Sequence, residues 1–333
     1  MGLPEIMLIV MWLGLTAYVL FGGADFGGGV WDLLAGGTER GRPQRELIEH
    51  SIGPVWEANH VWLIFVIVLM WTGFPSVFGA IASTLYIPLT LVALGIIARG
   101  SAFAFRKVST EVSRQRLFGA TFALSSLLTP FFLGTVAGAI ASGRVPPGIA
   151  AGDLITSWLN PTSLLTGLLT VAITAYLAAV YLTRDAERAS AAKLAEQFRL
   201  RALVTGVLLG GLSLAGLLML RTDAPRLYAE LTSGAGLPLV ALSVVAGVVS
   251  LLLLWWRRYL AVRLTAALAV VALLWGWAAG QFPNLLPGVT IDQAAATPAV
   301  LLATLVALAV GGVLLMPSLW WLYATFQRSE KAT

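Results

Sequence analysis

Nine stretches of this sequence run for about twenty residues with scarcely a charge in them, and no other feature narrows the fold so far. A hydrocarbon core of about 30 Å takes roughly 20 helical residues to cross. Backbone amides in lipid must be satisfied within the chain, so each crossing is a helix or a strand of a closed barrel. The period-two alternation of barrel strands is missing, which leaves helices. The runs are Met7–Leu34, Gly53–Trp71, Val77–Ala98, Leu117–Ala141, Thr162–Leu182, Ala202–Leu220, Leu237–Trp256, Leu260–Ala279 and Ala299–Phe326. Charged residues make up only 11% of the chain and hydrophobic ones 58%, against about a quarter charged in soluble domains. Lipid is therefore the expected solvent. The expected fold is all-α, a polytopic membrane protein with a single transmembrane domain over residues 1–333. The charged segments Thr38–Ile52 and Thr183–Arg201 are expected as helices at the membrane surface, and Pro88 as a kink inside the third run.

The net charge of +5 does not indicate a nucleic-acid partner, because the basic residues are split among short loops and form no stripe. Their distribution follows the enrichment of Lys and Arg in cytoplasmic loops. With the N-terminus outside, the inner segments hold 18 of the 21 basic residues, Arg99 and Arg106 among them, and the outer segments hold only Arg144, Arg221 and Arg226. That bias puts the N-terminus outside and the C-terminus in the cytoplasm. Tryptophans fall in two belts, with Trp31, Trp255, Trp256, Trp320 and Trp321 near inner ends and Trp12, Trp71, Trp158, Trp275 and Trp277 near outer ends. Trp56 and Trp62 stand apart. The first run is too long for a signal-peptide core and no basic segment precedes it, so it reads as a retained span. Cysteine is absent, which excludes disulfides, Cys-ligated zinc, iron–sulfur clusters and thiol catalysis.

Ionisable groups inside lipid are costly and mark function by default. Of the 16 acids, three fall within the runs: Asp25, Asp32 and Glu57. Asp32 ends the first run and is expected to be wet. Asp25 lies roughly 13 Å in from the cytoplasmic end of its helix, and Glu57 roughly 6 Å in from the start of the next. Two carboxyls in the cytoplasmic half suit proton uptake, since a group stripped of water exchanges protons nearer neutral pH. The plain alternative is a carboxyl that bonds a neighbouring helix and never titrates. His60 lies three residues beyond Glu57 on the same helical face, where the two could share a hydrogen bond. A haem ligand is conceivable there, but the lack of a second His or Met at helical spacing favours a structural or proton-relaying histidine. A metal centre carried by this chain alone is not expected. Gly22, Gly23, Gly27, Gly28 and Gly29 surround Asp25, and close helix packing alone explains them.

Several motifs carry a resemblance. The stretch F-G-G-A-D-F-G-G-G-V-W-D (Phe21–Asp32), followed by S-I-G-P-V-W-E-A-N-H-V-W-L-I (Ser51–Ile64), is similar to subunit II of cytochrome bd-type quinol oxidases. N-P-T-S-L-L-T-G-L-L-T (Asn160–Thr170), F-P-N-L-L-P (Phe282–Pro287) and P-S-L-W-W-L-Y (Pro317–Tyr323) extend it over nearly the whole chain. The resemblance implies two four-helix bundles plus one extra helix, paired with a haem-bearing subunit I in a bacterial or archaeal plasma membrane. It implies haems b and d in that partner and none bound by this chain, room for a structural quinone, and membrane lipid around the complex. It leaves open a small single-span accessory subunit. The family's acidic proton-path position falls on Glu57, its first-helix Asp on Asp25, and its second-helix signature on Trp56, Asn59, His60 and Trp62. His60 stands where Gln or Glu is common, which resembles the cyanide-insensitive branch. The glycine-rich first helix is a candidate for the face that meets subunit I. Two other readings stand beside it: a proton-coupled secondary transporter, although no clear internal repeat is seen, and a purely structural assembly subunit.

Overall fold

The computed structural model describes residues 2–53, 56–109 and 111–329. Pro54 and Val55 of the second-helix signature lie outside the described residues, as do the two ends of the expected 1–333 domain. Among the described residues, nine helices are long and apolar enough to cross a membrane. They are span one (Leu3–Leu33), span two (Trp56–Gly73), span three (Tyr86–Arg106), span four (Ser113–Ala141), span five (Pro161–Arg188), span six (Ala192–Asp223), span seven (Leu237–Trp255), span eight (Tyr259–Gln281) and span nine (Pro298–Leu315). Each is built from residues whose apolar side chains do not need water, so the hydropathy that identified the runs also drives the helices into lipid.

The third run differs from its expected course. Residues 75–84 form a short separate helix, Pro75–Thr84, and the membrane helix starts only at Tyr86. Pro88 therefore sits in the first turn, where no helical N–H is needed, and introduces no kink. The later start carries Arg99 from a loop into the span. Thr183–Arg201 likewise forms no surface helix: span five runs on to Arg188, and span six begins at Ala192 after a turn in which Ser190 takes a φ of +55°. Thr38–Ile52 is a helix, as expected, with Gln44, Ile48 and Ile52 turned inward. One short hairpin departs from the all-helical plan. Asn284–Leu286 pairs with Val289–Thr290 across Pro287-Gly288, and Gly288 has a φ of +72°, as the third position of a type II turn requires.

Span one lies at the centre, in contact with spans two, four, five and nine. Spans three and four pair, as do five and six, and seven and eight, while span five also meets span eight. The glycines explain the close approach. A Cβ built on Gly27 would lie 1.9 Å from the Thr174 carbonyl oxygen of span five, and one on Gly29 would lie 2.2 Å from Ser126 Oγ of span four. This corrects the expectation that the glycine-rich face meets a partner, because the chain's own helices occupy it. Trp31 leaves the expected belt for the same reason: it is buried, and its indole N–H donates to the Ala175 carbonyl at 2.9 Å.

Candidate functional site

Span one is not a regular helix throughout. Tyr18–Gly22 forms one π turn, and such single turns recur at functional sites. The extra residue rotates everything beyond it by about 100° relative to an unbroken helix. Asp25 follows within a turn and is directed into the bundle, 5% exposed. Its Oδ2 accepts a hydrogen bond from Asn59 Nδ2 of span two at 2.6 Å. Arg99 of span three, 1% exposed, lies alongside. Arg99 Nη2 donates to the Asp25 carbonyl oxygen at 3.0 Å, and Nε donates to Ser126 Oγ of span four at 3.0 Å. The guanidinium also lies 4.8 Å from the Phe26 ring centroid and 5.1 Å from that of Phe122, a cation–π arrangement. Spans two and three thus meet span one at Asp25, one at its carboxylate and the other at its carbonyl. Around it, Tyr18 Oη, Asn59 Oδ1 and His60 Nδ1 are buried without a hydrogen-bond partner, and buried polar atoms of this kind are ordinarily satisfied by water.

Asp32, expected to be wet, is buried instead at 6% exposure. Arg45 of the surface helix donates to its Oδ1 at 2.8 Å, and Arg106 of span three donates to its Oδ2 at 2.6 Å. Two cations supplied from different elements repay the cost of burying that charge.

The second-helix signature is divided by the structure. Asn59, His60 and Trp56 belong to the Asp25 site: the His60 ring centroid lies 5.8 Å from Phe26, 6.3 Å from Tyr18 and 6.3 Å from Trp56. Glu57 points the other way. It is exposed and heads a stripe with Val61, Ile64, Val68 and Trp71, all exposed, at the spacing of one helical face. Among the described residues no hydrogen bond joins Glu57 to His60. Trp62 packs edge-on to Phe65, with centroids 6.2 Å apart. Arg99 is the member that sequence reasoning missed. A run begun at Tyr86 rather than Val77 would have enclosed it as a lone charge in an apolar helix.

A family model described as cytochrome bd terminal oxidase subunit II matches residues 3–326. The chain is 31% identical over 131 residues to cytochrome bd ubiquinol oxidase subunit 2 of Bacillus subtilis, a stretch covering 38% of each chain. It is 27% identical over 190 residues to cytochrome bd-I ubiquinol oxidase subunit 2 of Escherichia coli, covering 54% of this chain and 48% of the other. The matched stretches thus span less than half the length of these curated relatives. A solved structure titled as the bd oxidase from Geobacillus thermodenitrificans contains a chain that superposes with a TM-score of 0.75 at 25% identity, covering 98% of this chain and 99% of that one. These relatives are bacterial, and the archaeal part of the expected localisation finds no support among them.

Proposed function

The chain belongs to the cytochrome bd terminal oxidase subunit II family, and from that premise we propose that it is the haem-free subunit of a quinol:oxygen oxidoreductase. In this reading it holds a haem-bearing subunit I in place within a bacterial plasma membrane, N-terminus outside, and forms part of a cytoplasmic proton path. The electron transfers from quinol to oxygen belong to the haems b and d of the partner. This chain's own residues hold and pass protons.

The buried Asp25 carboxylate carries the reading. Asn59 orients it, and the Arg99 guanidinium lies beside it, held by the Asp25 carbonyl and Ser126. The unpaired Tyr18, Asn59 and His60 atoms offer polar positions for water along the way. Glu57 belongs to the same reading at the surface of span two. A carboxylate on an otherwise apolar stripe is costly in lipid, which supports placing that stripe against subunit I. Two four-helix bundles and one extra helix belong to the same reading, with span nine beside spans one and two, and with spans one and four packed against span five where the two sets would meet.

Purification of the complex through a tag on this chain, followed by a reduced-minus-oxidised spectrum, tests the division of labour. Haem b and d bands that leave with the partner are expected. A colourless preparation of this chain alone, stable and without a partner, would discard the oxidase reading.

A further inference from the structure

Two arginines of span three reach span one at two acidic residues in matching register. Asp25 and Asp32 are seven residues apart on span one, and Arg99 and Arg106 are seven apart on span three. Seven residues are nearly two turns, so each pair of like residues shares a face with a separation of about 10 Å along the axis. At the upper level Arg99 donates to the Asp25 carbonyl; at the lower level Arg106 donates to the Asp32 carboxylate. A cavity of about 10 Å³ adjoins the lower level, lined by Asp32, Arg45, Glu49, Arg106, Ile48, Phe103 and Phe122, with room for about one water. Phe103 and Phe122, with ring centroids 5.7 Å apart, form its wall. Phe122 touches both levels, since its other contact is the Arg99 guanidinium.

We propose that Asp32 is the positioning residue at the cytoplasmic mouth of the proton route: it holds Arg45 and Arg106 in place and offsets their charge, so that a proton can reach the cavity and pass on to Asp25. The proposal rests on the proton-path reading and adds to it the point of uptake. A proton from bulk water reaches the cavity beside Asp32 and passes from there, past Phe122, toward the Asp25 carboxylate. Asp32 stays ionised throughout and no covalent bond to carbon changes. The charged groups facing Asp32 are Arg45 and Glu49 from the surface helix and Arg106 from span three, while span four presents Phe122. Without the Asp32 charge, two guanidiniums would stand at the mouth against Glu49 alone. A local excess of positive charge depletes cations there, with effects on arrival rates from about tenfold upward.

The test uses the intact complex with its haem-bearing partner, reading quinol-driven oxygen consumption across pH together with haem content. Asp32→Asn is expected to slow turnover by about tenfold at neutral pH with haem content unchanged, and the deficit is expected to shrink as pH falls. The double variant Asp32→Asn with Arg106→Gln restores the charge balance and is expected to recover to within about threefold. A merely structural role would also recover in the double variant, but its deficit would show as lost haem content and would not shrink as pH falls. Parental turnover in Asp32→Asn, or a deficit of the same factor at every pH, overturns the proposal. Asp25→Asn separates the two levels of inference. If it is slow while Asp32→Asn is parental, the mouth lies elsewhere but the route stands; if both are parental, the route itself is lost. Should Asp32→Asn fail to assemble, the double variant carries the test, and a tenfold loss independent of pH in it overturns the proposal.

Discussion

Arg99 keeps its charge inside the bundle by sharing it out, with Nε on Ser126, Nη2 on the Asp25 carbonyl, and the faces of Phe26 and Phe122 against the guanidinium plane. A planar fork suits that arrangement where a lysine ammonium does not. Asn59 has the simpler task of donating to Asp25 Oδ2. Replacing it with leucine keeps the volume roughly the same and leaves the carboxylate oxygen without its donor, at a cost of about 1–3 kcal/mol. Asn59→Leu is therefore expected to lower the thermal midpoint of the complex and its turnover together; an unchanged midpoint would mean that the 2.6 Å bond contributes nothing. Asp25 and Asn59 were legible in the sequence because a lone acid in an apolar helix and a tight motif both stand out locally. Asp32 was not. Its two partners come from 13 and 74 residues away, and nothing near it in sequence distinguishes a clamped carboxylate from a wet one.

Among the elements, glycine separates helix faces that are covered from faces that are open. Gly27 has the Thr174 carbonyl 1.9 Å from where its Cβ would be, whereas Gly210 and Gly211 of span six have nothing within 4 Å. Gly27→Ala is expected to push spans one and five apart, costing at least about 1–3 kcal/mol, with loss of assembled complex on a native gel. Gly211→Ala, in open helix, is expected to be neutral or stabilising by up to about 1 kcal/mol. Equal behaviour of the two would contradict the packing described. A second element makes a pH-dependent prediction. The exposed Asp153 carboxylate accepts from the Ile155 and Thr156 amides and from the Thr156 hydroxyl, and those bonds, the Thr156 amide foremost, hold it below the ordinary carboxylate range. A lowered value means that the turn gains stability above the ordinary carboxylate pKa and loses it as pH falls through the lowered one. Amide exchange at Ile155 and Thr156 should accelerate only in acid; acceleration on raising pH beyond the intrinsic base catalysis of exchange would contradict the assignment. Hydropathy made all nine spans legible, because burial in lipid is read directly from composition. The break at Thr84–Tyr86, the π turn and the hairpin were not, since each depends on local backbone choices that barely change mean hydropathy.

In the molecule as a whole, burial is uneven. In the apolar windows of spans four and five 56% of residues are buried within the chain, against 0% in span six, 17% in span seven and 6% in span nine. Span four borders the Asp25 site through Ser126 and Phe122, and the sparsely buried spans face outward. Glu57 belongs to the outward set and Asp25 to the inward one, so the two acids that look alike in sequence should respond differently to substitution. Glu57→Gln is expected to weaken retention of the haem-bearing partner on a tag column, or the transfer of protons across that contact, and a variant that matches the parent in both would remove Glu57 from the path. The most direct measurement is proton uptake and oxygen consumption by the purified complex carrying Asp25→Asn, which keeps the size of the side chain and abolishes its titration. Haem content equal to the parent's, with turnover and proton uptake both reduced at least about tenfold, is the predicted result. Full turnover with full proton uptake would contradict the proton path and leave this chain a scaffold.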